Sequence, residues 1–312
     1  MPSPGPSRRD ALRLIGAGLA ALGGTPLAGT LAELTAFSPS ILTRNIPSSG
    51  EALPVVGVGT WQTFDVGPGA SERGPLEAVL GTFVALGGKV VDSSPMYGNS
   101  EQVVGDIAAK LGLRPKLFIA TKVWTSGRRN GIEQMNDSMR KLRADPIDLM
   151  QVHNLMDAAT HLDTLRGWKR QGRVRYVGVT HYTAARHDAV AEIMAREPLD
   201  FIQINYSIGE REAERRLLPL ARDRDVAVIA NRPFAGGDLF RRLRARPLPD
   251  YARELDCTSW AQLMLKFIIA HPAITCAIPG TSKVEHLRDN MAAGTGRLPD
   301  EGLRARIAAE VV

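Results

Sequence analysis

After residue 54 the chain alternates between two hydrophobic periods, and no other feature constrains its fold as much. Continuous apolar runs of strand length occur at 55–58, 90–93, 117–121, 147–152, 176–179, 201–204, 226–230 and 274–278. Stripes at helical spacing fill the gaps: Leu76, Val79, Leu80 and Phe83; Val103, Ile107 and Leu111; Ile132, Met135, Met139 and Leu142; Trp260, Leu263, Met264, Phe267 and Ile268. A strand that is apolar throughout is covered on both faces, the condition of a parallel sheet wrapped in helices. Eight such units predict closure into a (β/α)8 TIM barrel. A barrel of this kind runs to about 250 residues, and the 312-residue chain has room for one, over residues 40–312. Ahead of it, Ile41 to Ile46, a Ser48-Ser49-Gly50 turn and Ala52 to Val56 read as an N-terminal β-hairpin. An open dinucleotide-binding sheet would need a glycine-rich fingerprint after its first strand. The turn Gly57-Val58-Gly59-Thr60-Trp61-Gln62 lacks the third small residue.

Residues 1–32 follow another pattern. Arg8 and Arg9 precede an apolar run from Leu14 to Leu22, followed by Gly23-Gly24-Thr25-Pro26 and an Ala-rich stretch to Ala32. A charged region, a modestly apolar region and a small-residue zone, in that order, make an export leader. It is too short and too rich in Gly and Ala for a stable membrane span. The arginine pair resembles a twin-arginine signal. The expectation is a bacterial protein whose leader, residues 1–32, engages the twin-arginine export machinery and is cleaved, leaving the folded domain in the periplasm.

Composition narrows the partners. With 44% hydrophobic and 23% charged residues the chain is an ordinary globular protein. Its net charge of +6 is scattered, and no basic helix is interleaved with aromatics, which speaks against nucleic acid. The expected state is a monomer. Cys257 and Cys276 form no metal spacing. A bridge between them is open in an oxidising compartment, but two free thiols are favoured because Cys276 lies inside an apolar run.

A barrel concentrates chemistry at the C-terminal ends of its strands. Those ends read Val91-Asp92 with Tyr97 in the following loop, Thr121-Lys122, Val152-His153-Asn154, Thr180-His181, Gln203 with Asn205, and Asn231-Arg232. A carboxylate, a phenol, an ammonium and an imidazole thus meet at one mouth. A phenol with a pKa near 10 is a poor acid at neutral pH. A neighbouring ammonium stabilises its phenolate, and a carboxylate holds the ammonium in place. Tyr97 could then exchange a proton with a carbonyl or alcohol oxygen, and His153 could hydrogen-bond the same oxygen. Two rival readings use the same positions. One is a cofactor-binding regulatory barrel with little turnover. The other is a metal-dependent hydrolase built on Asp92, His153 and His181, which has few ligands for such a site. Trp61, Trp124 and Met156 are candidates to line an apolar pocket.

The segment Asp92-Ser93-Ser94-Pro95-Met96-Tyr97-Gly98-Asn99-Ser100-Glu101 resembles the aldo-keto reductase signature. Ala120-Thr121-Lys122-Val123-Trp124 is similar to that family's lysine strand, and Asp148-Leu149-Met150-Gln151-Val152-His153 to its histidine strand. Ile278-Pro279-Gly280-Thr281-Ser282-Lys283 is similar to the segment that grips the cofactor's 2′-phosphate. The resemblance implies reduction of small carbonyl substrates with NADPH, with Asp92, Tyr97, Lys122 and His153 as the catalytic tetrad. It further implies cofactor contacts from Gly59, Thr60, Trp61, Thr180, His181, Gln203, Asn231, Arg232, Ser282, Lys283, Arg288 and Asn290. Three positions depart from the family pattern. Thr180-His181 stands where Ser-Asn is usual, Asn231 where an aromatic is usual, and His286 where an arginine is usual, with Arg288 nearby.

Overall fold

The computed structural model describes residues 40–311, so the leader read over residues 1–32 lies outside the described residues. The hairpin forms from β1 (Thr43–Asn45) and β2 (Ala52–Pro54), antiparallel with Thr43 opposite Pro54. Eight strands follow: β3 (Val58–Gly59), β4 (Val90–Asp92), β5 (Phe118–Val123), β6 (Ile147–His153), β7 (Val174–Thr180), β8 (Phe201–Asn205), β9 (Ala227–Asn231) and β10 (Ile274–Ala277). Each pairs in parallel with its neighbour in chain order. The seam between the last strand and the first is closed by bridges from Val56 to Ala277 and from Gly59 to Gly280. Gly57 N–H donates to Ala277 O at 2.8 Å, and Ala277 N–H to Val55 O at 2.9 Å. A Cβ on Gly57 would lie 2.8 Å from Val90 O, and one on Gly59 would lie 3.0 Å from Ile278 O. This glycine pair, unsuited to a dinucleotide fingerprint, serves close strand approach instead.

All eight apolar runs are barrel strands, and the helical stripes between them cover the barrel. Leu76, Val79, Leu80 and Phe83 are buried on the helix Ala70–Ala85. Helix Trp260–Ile269 starts where the Ser259 hydroxyl accepts Gln262 N–H at 3.1 Å, an N-cap. It buries Leu263, Met264, Phe267 and Ile268. One stripe is shorter than its spacing predicts. Val103 and Ile107 are buried, but helix Ser100–Lys110 ends one residue before Leu111, which is left 39% exposed.

Side chains along a strand alternate between its two faces, and this alternation creates the site. Val90, Phe118, Ala120, Leu149, Tyr176, Phe201, Ala227, Ile229 and Cys276 form one buried cluster with Ile278 and with Ile46 and Leu53 of the hairpin. This is the barrel interior, plugged at its N-terminal end. Counting on by two toward the C-terminal ends gives Asp92, Lys122, Gln151, His153, Gln203 and Asn231. The same face is apolar at one end of the barrel and polar at the other. The hairpin is fastened by Arg44, which donates to the carbonyls of His271, Ile269 and Ile274 at 2.5, 2.7 and 2.8 Å. Cys257 and Cys276 are both free and buried, which closes the question of a bridge in favour of two thiols.

Candidate active site

The polar layer is organised around Asp92. Lys122 Nζ donates to Asp92 Oδ2 and to Ser93 O, both at 2.7 Å, with both charged side chains almost fully buried. The other carboxylate oxygen accepts Gln203 Nε2 at 2.7 Å and Gln151 Nε2 at 3.3 Å. Three donors from three other strands therefore hold one carboxylate. Such a pair is costly to break, because either partner alone would be an uncompensated buried charge. Thr60 is fully buried with its hydroxyl near Asp92 O and Ser93 Oγ, each at 3.0 Å, so it braces the end of β4.

Tyr97 lies above this pair. Lys122 Nζ is 5.0 Å from the centre of the phenol ring. His153 packs edge-on to Tyr97 with centroids 6.0 Å apart, and Trp124 flanks the imidazole at 6.5 Å. The four residues of the expected tetrad thus share one wall of the mouth. Burial lifts the Tyr97 pKa; Lys122 opposes this and Asp92 adds to it, and the net value lies above that of ordinary tyrosine. The lysine is present, as the sequence argument required, but desolvation outweighs it. Burial lowers the Lys122 pKa, yet Asp92 and Tyr97 more than compensate, and the ammonium is held. Burial, followed by the charges of Lys122 and His181, drives His153 down to about 3. At neutral pH the mouth therefore presents a protonated phenol, an ammonium and a neutral imidazole.

The expected cofactor residues fall in two groups. Thr180, His181, Gln203 and Asn231 surround the tetrad. Thr180 Oγ1 and Asn231 Nδ2 donate to Gln203 Oε1 at 3.3 and 3.4 Å, and Asn231 Nδ2 also reaches His181 O at 3.4 Å. His181 Nδ1 accepts Tyr182 N–H at 3.0 Å, which leaves its Nε2 free to donate. Arg232 follows with a left-handed backbone (φ 51°) and makes no ion pair with a described residue. Gly59 sits at the barrel seam, and Trp61, 51% exposed, stands in the loop beyond it. The second group lies past β10. Ser282, Lys283 and Arg288 are exposed, and neither cation is ion-paired with a described residue. Lys283 is the N-cap of helix Val284–Ala292, which carries the buried Asn290. Thr281 Oγ1 accepts Lys283 N–H at 3.1 Å, fixing the turn.

Unpartnered atoms test whether a nicotinamide dinucleotide fits. Asn231 Oδ1, Arg232 Nε and Asn154 Oδ1 are buried without a hydrogen-bond partner among the described residues, all at strand ends on the mouth. Native proteins satisfy nearly all such groups. An acceptor and a guanidinium N–H lacking partners beside the tetrad suit an amide and a phosphate oxygen. By contrast, the Asp92 oxygens are engaged by Lys122, Gln151 and Gln203, and no group of three or more His, Cys, Asp or Glu among the described residues is arranged to hold a metal. Asp92, His153 and His181 are not a metal-ligand set.

Two further residues join the site, Gln151 on Asp92 and Ser94 on His153. Gln151 was detectable, because it shares a face with Leu149 and His153. Ser94 has its hydroxyl 3.2 Å from His153 Nδ1, a contact across 59 positions that only the fold brings together.

The aldo/keto reductase family model matches residues 55–306. The chain belongs to the aldo/keto reductase family. That makes it an NAD(P)H-dependent oxidoreductase. It is 31% identical over 258 residues to methylglyoxal reductase YeaE of Escherichia coli K12, covering 80% of this chain and 88% of the relative. An aldo/keto reductase from Klebsiella pneumoniae, solved with NADP and acetate, superposes with a TM-score of 0.71 at 25% identity, covering 83% of this chain and 93% of the other. AKR11C1 from Bacillus halodurans shares the fold at 23% identity and TM-score 0.71, covering 87% and 96%.

Proposed function

We propose that this family member reduces aldehydes or ketones to alcohols at the C-terminal mouth of the barrel, with NADPH as reductant and Tyr97 as general acid. The observation that carries the reading is the cluster of Tyr97, Lys122, Asp92 and His153 on one wall, with the protonation states derived above. When bound, NADPH supplies the hydride that the carbonyl carbon takes up. The Tyr97 hydroxyl gives its proton to the carbonyl oxygen, and Lys122 stabilises the phenolate left behind. Asp92, held by Gln151 and Gln203, keeps the ammonium in place through the proton transfer. Neutral His153 donates a hydrogen bond to the same oxygen and orients the substrate. Thr180, His181, Gln203 and Asn231 would hold the nicotinamide end of the cofactor, Arg232 a phosphate oxygen, and Ser282, Lys283 and Arg288 the 2′-phosphate. Lys283 at the helix N-terminus and Arg288 about one turn along, neither ion-paired with a described residue, support NADPH over NADH.

The likeness to a methylglyoxal reductase makes small 2-oxoaldehydes the first substrate class to test. The experiment is NADPH oxidation by the purified protein against a panel of 2-oxoaldehydes, aromatic aldehydes and ketones. Turnover of at least one class is expected. Tight NADPH binding with no oxidation by any carbonyl would instead support the regulatory barrel.

A further inference from the structure

We infer that Ser94 is a positioning residue for His153, its hydroxyl fixing the imidazole in the tautomer that carries the proton on Nε2. The inference rests on the reading of His153 as the hydrogen-bond donor to the substrate oxygen.

Ser94 is fully buried just past the end of β4. Its Oγ accepts Met96 N–H at 3.2 Å and lies 3.2 Å from His153 Nδ1. Among the described residues these are the partners of that oxygen. A hydroxyl has one proton to donate, and an amide N–H cannot accept it. Among the described residues Nδ1 is therefore the only acceptor within hydrogen-bond distance. If Nδ1 carried a proton, two donors would converge on one oxygen, and the hydroxyl's own proton would be buried with no acceptor. Native interiors avoid that arrangement because an unmade buried hydrogen bond costs far more than a made one returns. The Ser94 proton therefore goes to Nδ1, and the ring of a neutral histidine must then hold its proton on Nε2. Nε2 has no hydrogen-bond partner among the described residues, so it is the nitrogen left to meet a ligand. The ring's other neighbours, Tyr97 at 6.0 Å and Trp124 at 6.5 Å, set its tilt by packing and leave the tautomer open. A histidine in the opposite tautomer would face the carbonyl oxygen with a lone pair and repel it.

The test is long-range 1H–15N correlation on the full chain labelled at histidine, with His153→Asn used to assign the signal. In the wild type, Nδ1 is expected to be pyridine-type and Nε2 pyrrole-type at neutral pH. Ser94→Ala should give a mixture of tautomers. Its kcat for carbonyl reduction should fall roughly five- to tenfold, the scale of one neutral hydrogen bond, with NADPH affinity unchanged. Ser94→Thr keeps the hydroxyl and should restore both signatures. A wild-type ring protonated on Nδ1 overturns the inference, and so does a Ser94→Ala protein that keeps the Nε2 tautomer, whatever its kcat. If Ser94→Ala fails to fold, the wild-type spectrum alone decides. If the wild type turns over no carbonyl, the proposed function fails while the spectra still decide the role of Ser94.

Discussion

The two ends of the barrel are built from the same strands and differ in what those strands bring inward. At the N-terminal end Phe118, Tyr176 and Phe201 pack with ring centroids 5.6–6.1 Å apart under Ile46 and Leu53 of the hairpin. The polar groups at its rim are paired. Tyr176 OH reaches Ser49 Oγ at 2.7 Å, Lys169 meets Asp200 at 2.6 Å, and Arg175 bonds both Glu51 and Asp148. At the C-terminal end the interior is a carboxylate, an ammonium, a phenol and an imidazole, ringed by atoms that lack partners among the described residues. Apolar packing is concentrated at one end and titratable groups at the other, so substitutions at the two ends should separate cleanly.

The largest effect is expected at the plugged end. Phe201 is fully buried between Phe118 and Tyr176. Phe201→Ala should cost about 3–5 kcal/mol of stability, the range for truncating a buried aromatic. Urea denaturation measures it. The folded fraction should keep wild-type NADPH affinity, and a marked loss of affinity in folded protein would show that the two ends are coupled.

Tyr97→Phe is the converse. Removing one hydroxyl should lower kcat by roughly 10² or more, the scale for a general acid, while the denaturation midpoint and cofactor binding stay close to wild type. Near-normal turnover would refute the mechanism whatever the fold. A smaller change is expected past β10, where Lys283→Ala should weaken NADPH by on the order of 1–3 kcal/mol, as for a lost charged hydrogen bond. NADH binding should barely move. Titration of both cofactors into both proteins reads this directly, and equal losses would remove the phosphate assignment from this turn.

The plugged end was easier to read from sequence than the mouth. Continuous apolar runs announce buried strands because burial leaves a one-dimensional trace, so the strand positions and the hairpin were legible. The meeting of Asp92, Tyr97, Lys122 and His153 was legible because Asp92, Lys122 and His153 lie at strand ends and Tyr97 follows Asp92 locally in the chain. What escaped depends on contacts across the sequence. Gln151 and Gln203 meet on Asp92 from positions 59 and 111 residues away. The Thr60 hydroxyl meets the end of β4 across 32 positions, a contact the sequence does not show. Leu111 fits a helical stripe but falls beyond the helix end, which periodicity alone does not mark. The direction of the Tyr97 shift also needed the fold, since sequence shows the lysine but not the depth of burial that outweighs it.

The smallest effect sharpens the same comparison through pH. His153 is held down to about 3, and the Tyr97 pKa lies above its ordinary value of 10.0. Neither group changes protonation between about pH 5 and 8, so chemistry at the mouth should show no histidine titration there. Stability should behave otherwise. His153 and His271, the latter lowered to about 4 mainly by burial, both bind protons less readily folded than unfolded. Between the ordinary histidine value of 6.5 and these folded values the unfolded chain takes up more protons. Unfolding free energy therefore rises with pH across that window, and its histidine contribution is lost progressively as pH falls below about 6.5. Denaturation at pH 7 and pH 5 should show the lower value at pH 5, with kcat at saturating substrate nearly equal at the two. The slope should shrink in His153→Gln, which removes one of the histidines, His153, His181 and His271, whose pKa the fold lowers. A break in kcat near pH 6.5 would mean that His153 titrates normally in the working protein, and that the neutral donor assigned to it is wrong.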